Sequence, residues 1–392
     1  MDYNFDKITD RCGTNSLKWN VPDGELPMWV ADMDFQTAPE IREAMTKRAQ
    51  HGIFGYTVVP EEWYDAYTGW WDRRHHFKMD KEWLIFTTGI VPAIASAVRK
   101  LTTVGDNVLV QTPVYNMFFN SIVNNGRNVV EAPLKYDGEE YCIDFEELEQ
   151  KLADPQTTMM ILCNPHNPVG KIWDRENLVK IGELCFRHHV TVLSDEIHCD
   201  LTEPGCGYIP FASVSDTCRS ISLTFIAPTK TFNLAGIQTA AVVVQDEVLR
   251  HKMRWALHTD GVSEPNVFAV DAAVAAFTKG EAWLDALREY IAANKRLVRD
   301  FLQGNLPEIK PVYSEATYLI WLDCGSLPGN GSGISRFLRE KAGLYLLGGG
   351  QYGLGGENFL RMNVACPRSL LEDGMNRLKD GIAAYKGRTG SL

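Results

Sequence analysis

Residues 157–194 read TTMMILCNPHNPVGKIWDRENLVKIGELCFRHHVTVLS. An apolar run at 157–163 ends in the proline-broken loop NPHNPVG, and a second run, VTVLS at 190–194, closes the stretch. Runs this short and apolar, bounded by turn formers, predict buried strands. Between them, 174–187 places Leu178, Ile181, Leu184 and Cys185 on one face of a helix, with Asp174 as its N-cap. Strand, helix and strand in that order predict a parallel pair joined by a crossover.

The same alternation continues outward. NVLVQ at 107–111 and SISLTFI at 220–226 predict further strands, so the chain is of α/β class with a mostly parallel, doubly wound sheet. QTAAVVV at 238–244 comes too soon after the APTKTFNLAG loop for a helical crossover, which predicts a strand antiparallel to 220–226. From Glu281 to Phe301, Leu284, Leu287, Ile291, Val298 and Phe301 keep helical spacing, and LPEIKPVY then breaks the pattern. TYLIWL at 317–322 and FLRMNV at 359–364 predict strands of a smaller α+β unit. The expected organisation is an N-terminal segment, 1–46, packing with the small domain, a large domain, 47–284, and a small C-terminal domain, 285–392.

Composition narrows the function. The 392 residues are 45% hydrophobic and 23% charged, enough for a large core. Thirty-nine basic against fifty acidic side chains give a net charge of -11 and no basic run, which argues against nucleic acid as a partner. Nine scattered cysteines without a C-x-x-C pair suit a reducing compartment. MDYNFDKITDRCGTNS lacks the basic and apolar regions of a signal peptide, and no run approaches the roughly 18 apolar residues of a membrane span. The expectation is a cytoplasmic protein that does not use a membrane.

Ligands of open α/β sheets bind beyond the carboxyl ends of the strands. Each of four predicted parallel strands ends in a distinctive element: TPVY with Tyr115, NPHNPVG with Asn167, DEIH with Asp195 and His198, and APTK with Lys230. An aromatic plane, an amide, a carboxylate and an amine around one crevice suit an aromatic, cationic, aldehyde-bearing cofactor, which pyridoxal 5'-phosphate is. Lys230 would form a Schiff base with its aldehyde, Asp195 would keep its ring nitrogen protonated, Asn167 would bind its ring hydroxyl and Tyr115 would stack on the ring. Thr88, Gly89, Ile90 and Val91, opening a helical pattern, would supply N–H groups to the phosphate, with Thr229 and Gln238 as further donors. Arg361 offers a planar fork to a substrate carboxylate.

Each residue alone has a plainer reading: an N-cap for Asp195, a turn for Asn167, core for Tyr115, a structural ion pair for Arg361. The weight lies on the set. LGGGQYG at 347–353 satisfies G-x-G-x-x-G but leads into a strand, so it is read as a glycine loop rather than a nucleotide site. The pairs His75-His76 and His188-His189, and His198 beside Cys199, lack a second ligand pair at metal spacing, so no metal site is expected.

The chain resembles the fold-type I pyridoxal phosphate enzymes of the class I/II aminotransferase superfamily, and within them the MalY/PatB-type cystathionine β-lyases, or carbon–sulfur lyases. The likeness rests on NFDKITDRCGTNSLKW, LPMWVADMDF, GYT, NPHNPVG, SDEIHCDL, APTKTFNLAG and RMNVACPR. It implies Lys230 as the Schiff-base lysine, Asp195 as the partner of the pyridine nitrogen, Asn167 at the ring hydroxyl, Tyr115 as the stacking aromatic and Arg361 as the carboxylate anchor. Tyr56 of GYT resembles the tyrosine that reaches the cofactor phosphate of the neighbouring subunit, implying a homodimer with shared active sites. Where aminotransferases of this superfamily usually carry an arginine to the phosphate this chain has Gln238, and where they carry a tyrosine to the ring hydroxyl it has His198. Ala227 stands where many relatives have a serine. The resemblance therefore implies a lyase that cleaves cystathionine or related cysteine S-conjugates to a thiol, pyruvate and ammonia. An aminotransferase of an amino acid, or an additional regulatory binding role, are the alternatives.

Overall fold

The computed structural model describes residues 3–389. Seven strands form the central sheet: β1 (Leu84–Thr87), β2 (Asn107–Val110), β3 (Asn128–Glu131), β4 (Thr157–Cys163), β5 (Thr191–Asp195), β6 (Ser222–Ile226) and β7 (Ala240–Val243). Their order is β1-β7-β6-β5-β4-β2-β3, and β7 alone runs antiparallel to its two neighbours. The predicted strands are present, including the antiparallel return of β7. β1 and β3, the two edges of the sheet, lie outside the predicted strands; NVVE of β3 is exposed to half-buried along its length and so carries no continuous apolar run.

Alternation along each strand divides the core into two layers. On β4, Met159, Ile161 and Cys163 face a cluster containing Ile94, Val98, Phe118, Met253 and Leu257, whereas Met160 and Leu162 face Leu178, Ile181, Leu148 and Cys185. Helices thus cover both faces, as a parallel sheet with continuous apolar strands requires. The helix Arg175–Arg187 begins at Asp174, whose side chain accepts the Asn177 N–H at 2.8 Å. A third cluster gathers Trp63, Tyr67, Trp70 and Trp71 of the helix Glu61–His75 with Phe277 and Trp283 beside β1 and β7.

The smaller unit has an antiparallel sheet in the order Lys310–Pro311, Leu319–Asp323, Phe359–Asn363 and Leu347–Gly348, backed by the helices Gly331–Ala342 and Arg368–Thr389. One continuous helix, Glu281–Asn305, joins the two units. Its Trp283, Leu284 and Leu287 pack into the large unit and its Val298 and Leu302 into the small one. The N-terminal segment touches both units. Leu26–Pro27 pairs in parallel with Leu344–Tyr345 of the small unit, while Phe5, Phe35 and Ile41 pack with the aromatic layer of the large one. LGGGQYG forms a short helical turn leading into Phe359–Asn363.

Candidate active site

The carboxyl ends of β1, β2, β4, β5 and β6 and the start of β7 meet at one edge of the sheet. A cavity of about 300 Å³ opens there, lined by Thr88, Gly89, Ile90, Val91, Tyr115, Asn167, Asp195, His198, Thr229, Lys230 and Gln238. Gly89 caps the helix Ile90–Leu101, so the unpaired N–H groups of its first turn lie at the cavity wall with the positive end of the helix dipole. Gln238 reaches the same wall from a left-handed backbone (φ 56°) that turns the chain into β7. Lys230 sits in the short helix Pro228–Thr231 immediately after β6.

The charged groups are buried and displaced from their ordinary behaviour. Burial pushes the Asp195 carboxyl up to about 7, against the Ile197 N–H that donates to it at 3.1 Å and the charge of Lys230. Burial lowers the Lys230 amine to about 8, with Arg361 acting in the same direction and Asp32 and Asp195 opposing. His198 is driven down to about 3 by burial and the nearby Lys230 and Arg361 charges, so its ring is neutral, and its Nδ1 has no partner.

Arg361 lies on the strand Phe359–Asn363 of the small unit and enters the site from the side. It donates to Asn167 Oδ1 at 3.2 Å and to the Trp29 carbonyl at 2.9 Å, and packs over the Tyr352 ring at 5.2 Å. Its buried Nε is left without a partner. Because Asn167 accepts from Arg361 through Oδ1, its Nδ2 is the end left to donate elsewhere.

Two predicted residues do not line the cavity: Arg361, which adjoins it through Asn167, and Tyr56. Tyr56 projects fully exposed (104%) from the loop between the helices Pro39–His51 and Glu61–His75, near exposed Ile53, Phe54 and Val58. Conversely, residue types failed to announce the backbone of residues 29–33. The Ala31 carbonyl accepts from Lys230 Nζ at 2.5 Å and from the buried Tyr318 hydroxyl at 2.8 Å. A main-chain carbonyl has no side-chain signature, and LPMWVADMDF stood out only through the family resemblance. His75, Cys199 and Asp200 bring ligand-type atoms within 4.8 Å of one another, but the Asp200 carboxylate already holds His75, Trp70 and Thr231 at 2.9–3.0 Å.

The family described as aminotransferase class I and II matches residues 26–378. Over 387 residues, 97% of this chain and 100% of the relative, the sequence is 45% identical to cystathionine beta-lyase PatB of Bacillus subtilis. Cystalysin from Treponema denticola, whose structure contains pyridoxal 5'-phosphate, superposes with a TM-score of 0.95 at 33% identity, covering 98% of this chain and 100% of that one. A pyridoxal phosphate-bound carbon–sulfur lyase from Staphylococcus hominis gives 0.91 at 32% identity, covering 97% and 98%.

Proposed function

The chain belongs to the aminotransferase class I and II family, among its cystathionine β-lyases, and on that premise we propose that it cleaves the Cβ–S bond of cystathionine or a related cysteine S-conjugate. Water is consumed, and the products are the thiol (homocysteine from cystathionine), pyruvate and ammonia. The observation that carries the reading is the single cavity that collects Lys230, Asp195, Asn167, His198 and Tyr115 at the carboxyl edge of the sheet.

Pyridoxal 5'-phosphate fits the residues present. The buried Asp195 carboxyl has one hydrogen-bond donor and, among the described residues, no ion-pair partner within contact, a place that a protonated ring nitrogen would fill. His198 Nδ1 and Asn167 Nδ2 are polar ends available to a ring hydroxyl. The start of the helix Ile90–Leu101, with Thr229 and Gln238, forms an anion cradle. When bound, the cofactor supplies an aldehyde for the amines and an electron-poor ring that accepts the electron pair of the broken Cα–H bond.

The chain's own residues do the rest. Arg361 holds the substrate α-carboxylate, its Nε providing a donor not used within the protein. Tyr115 restrains the ring plane, and the Asp195 carboxylate retains the proton at the ring nitrogen. Lys230 takes the Cα proton. With its amine lowered to about 8, the neutral form that a base requires is roughly a tenth of the population at pH 7, far more than for an ordinary lysine. A thiolate is a good leaving group, so loss of the β-sulfur competes with reprotonation.

Tyr56, carried into solvent beside exposed Ile53, Phe54 and Val58, is assigned to the phosphate of a second copy in a homodimer. No helix among the described residues is long and apolar enough to cross a membrane. We assign the dimer to the cytoplasm. Mixing Tyr56→Phe with Lys230→Ala chains tests the shared site, because exchange of subunits should regenerate some intact sites. The primary test couples thiol and pyruvate release from cystathionine to the visible absorbance of the cofactor before and after borohydride. Transfer of the amino group to an added keto acid, with no thiol released, would overturn the lyase assignment in favour of an aminotransferase.

A further inference from the structure

Two stretches of sequence have no part in the chemistry above: DRCGTNSLKW at 10–19 and LPMWVADMDF at 26–35. The second passes along the cavity, whose wall includes Ala31, and bonds to residues of both units, and residues 29–33 contain no helix or strand. Its carbonyls nevertheless serve the site. The Trp29 carbonyl accepts from Arg361 at 2.9 Å, and the Ala31 carbonyl from Lys230 at 2.5 Å. Asn363 Nδ2 donates to the carbonyls of Val30 and Asp32, both at 2.6 Å, and Asn233 binds both backbone groups of Met33 at 2.9–3.0 Å.

Irregular backbone aimed this closely needs an external support, and the first stretch provides one. Arg11 grips Asp32 with both arms of its fork, at 3.2 and 2.7 Å, and reaches Asp34 at 2.8 Å and the Met33 carbonyl at 3.1 Å. The buried Lys18 amine donates to Asp34 at 2.7 Å and to the Asp32 carbonyl at 3.3 Å, and Trp19 Nε1 adds a bond to Asp34 at 2.8 Å. Two cations face two carboxylates, so the cluster balances its own charge and directs its donors onto the strap.

We propose that Arg11 and Asp32 are positioning residues of the lyase reaction. By fixing the strap they hold the Ala31 carbonyl where it receives an N–H of the Lys230 amine and turns the nitrogen lone pair toward the substrate Cα; the Trp29 carbonyl keeps Arg361 in line with the carboxylate. This rests on the lyase reading. Displacing a catalytic group by about 1 Å costs on the order of a hundredfold in rate, so the strap's support bears on kcat before affinity.

The test uses the full chain loaded with pyridoxal phosphate, S-methyl-L-cysteine as substrate, and the variants Asp32→Asn, Arg11→Gln and their double. Expected are a drop in kcat of about ten- to a hundredfold with KM little changed, unchanged cofactor absorbance and melting, and amide exchange faster by about tenfold or more confined to residues 29–34. The double variant should be no worse than the poorer single, because both break one contact. Arg11→Lys, which keeps the charge and loses the fork, should fall between and guards against a variant that fails to fold. Wild-type exchange at 29–34, additive losses, or a kcat loss that merely follows lost cofactor would each overturn the proposal. If the wild type binds cofactor but releases no thiol, the lyase reading falls, while the exchange measurement still decides whether the cluster holds the strap.

Discussion

Asp195 ends β5 and Asp200 follows on the next short stretch; both are buried, yet their carboxyls move in opposite directions. Asp195 has one backbone donor, and burial takes it up to about 7. For Asp200 burial pushes the same way, but the bonds from His75 and Trp70 and the charge of Arg74 outweigh it and hold the carboxyl below its ordinary value. Asp200 is completed by its own protein, whereas Asp195 faces the cavity, where the proposed function places the cofactor. Burial alone therefore does not mark a functional carboxylate: Glu196, also buried and pushed up to about 8, is met by Ser194, Tyr208 and the Phe211 N–H, whereas Asp195 faces the cavity with a single donor.

The widest break between the two regions comes from the cavity side. On the proposed function Lys230→Ala removes the base and the attachment point together, and thiol release should fall by a factor on the order of 10³ or more. Borohydride labelling of the 221–237 peptide should vanish with it, and a label persisting elsewhere would reassign the lysine.

On the same proposal Asp195→Asn removes the charge assigned to the ring nitrogen, and kcat should fall on the order of 10²–10³-fold. The same change should raise the stability of the cofactor-free chain. A carboxyl held at about 7 when folded, against the ordinary 3.8, stabilises the fold only while protonated. That contribution is whole below the unfolded value and is lost as pH rises through about 7, leaving a penalty of up to a few kcal/mol above it. Melting curves of the two cofactor-free proteins should separate across this range, with asparagine the more stable at the alkaline end. A gap independent of pH would mean that Asp195 is not the unsatisfied group.

Arg361→Lys keeps the charge but loses the fork. Charged hydrogen bonds of this kind imply a loss of roughly ten- to a hundredfold in kcat/KM for S-methyl-L-cysteine. Normal kinetics with a lowered melting point would make Arg361 a structural strut between Trp29 and Asn167 instead.

The same contrast explains what sequence could reveal. The strand–loop–helix–strand reading of 157–194 carried over because buried strands are written in apolar runs and their helix in a 3.6 period. That Lys230, Asp195 and Asn167 come together at one cavity was legible because each follows such a run, where α/β sheets place ligands. The expected boundary at 284/285 falls inside the helix Glu281–Asn305, whose spacing marks it as a helix but does not say what each end packs against. The strap escaped because its contribution is made by carbonyl oxygens, whose direction depends on Arg11 and Lys18, more than ten residues away. Asp200 escaped for a related reason: its partners come from the helix Glu61–His75 and from Thr231, and only the fold brings them together.

Asp200→Asn is the smallest effect and the sharpest control. The amide keeps an oxygen for some of the donors but loses the charge, so the cofactor-free chain should be destabilised by about 1.5 kcal/mol at neutral pH. The sign with pH is the reverse of that for Asp195. A carboxyl whose folded value is depressed stabilises the fold above its ordinary value of 3.8, and that contribution is lost as pH falls through the lower folded value. The penalty of the variant should therefore be constant near neutrality and shrink only in acid, where Asp195→Asn loses its advantage. Thr231, bonded to Asp200 at 3.0 Å, adjoins Lys230, so some activity will go with the change. If Asp200 is structural, that loss should track cofactor retention and leave the pH profile of kcat in place. A shifted kcat profile with normal stability would move Asp200 from the scaffold into the chemistry and erase the distinction between the two carboxylates.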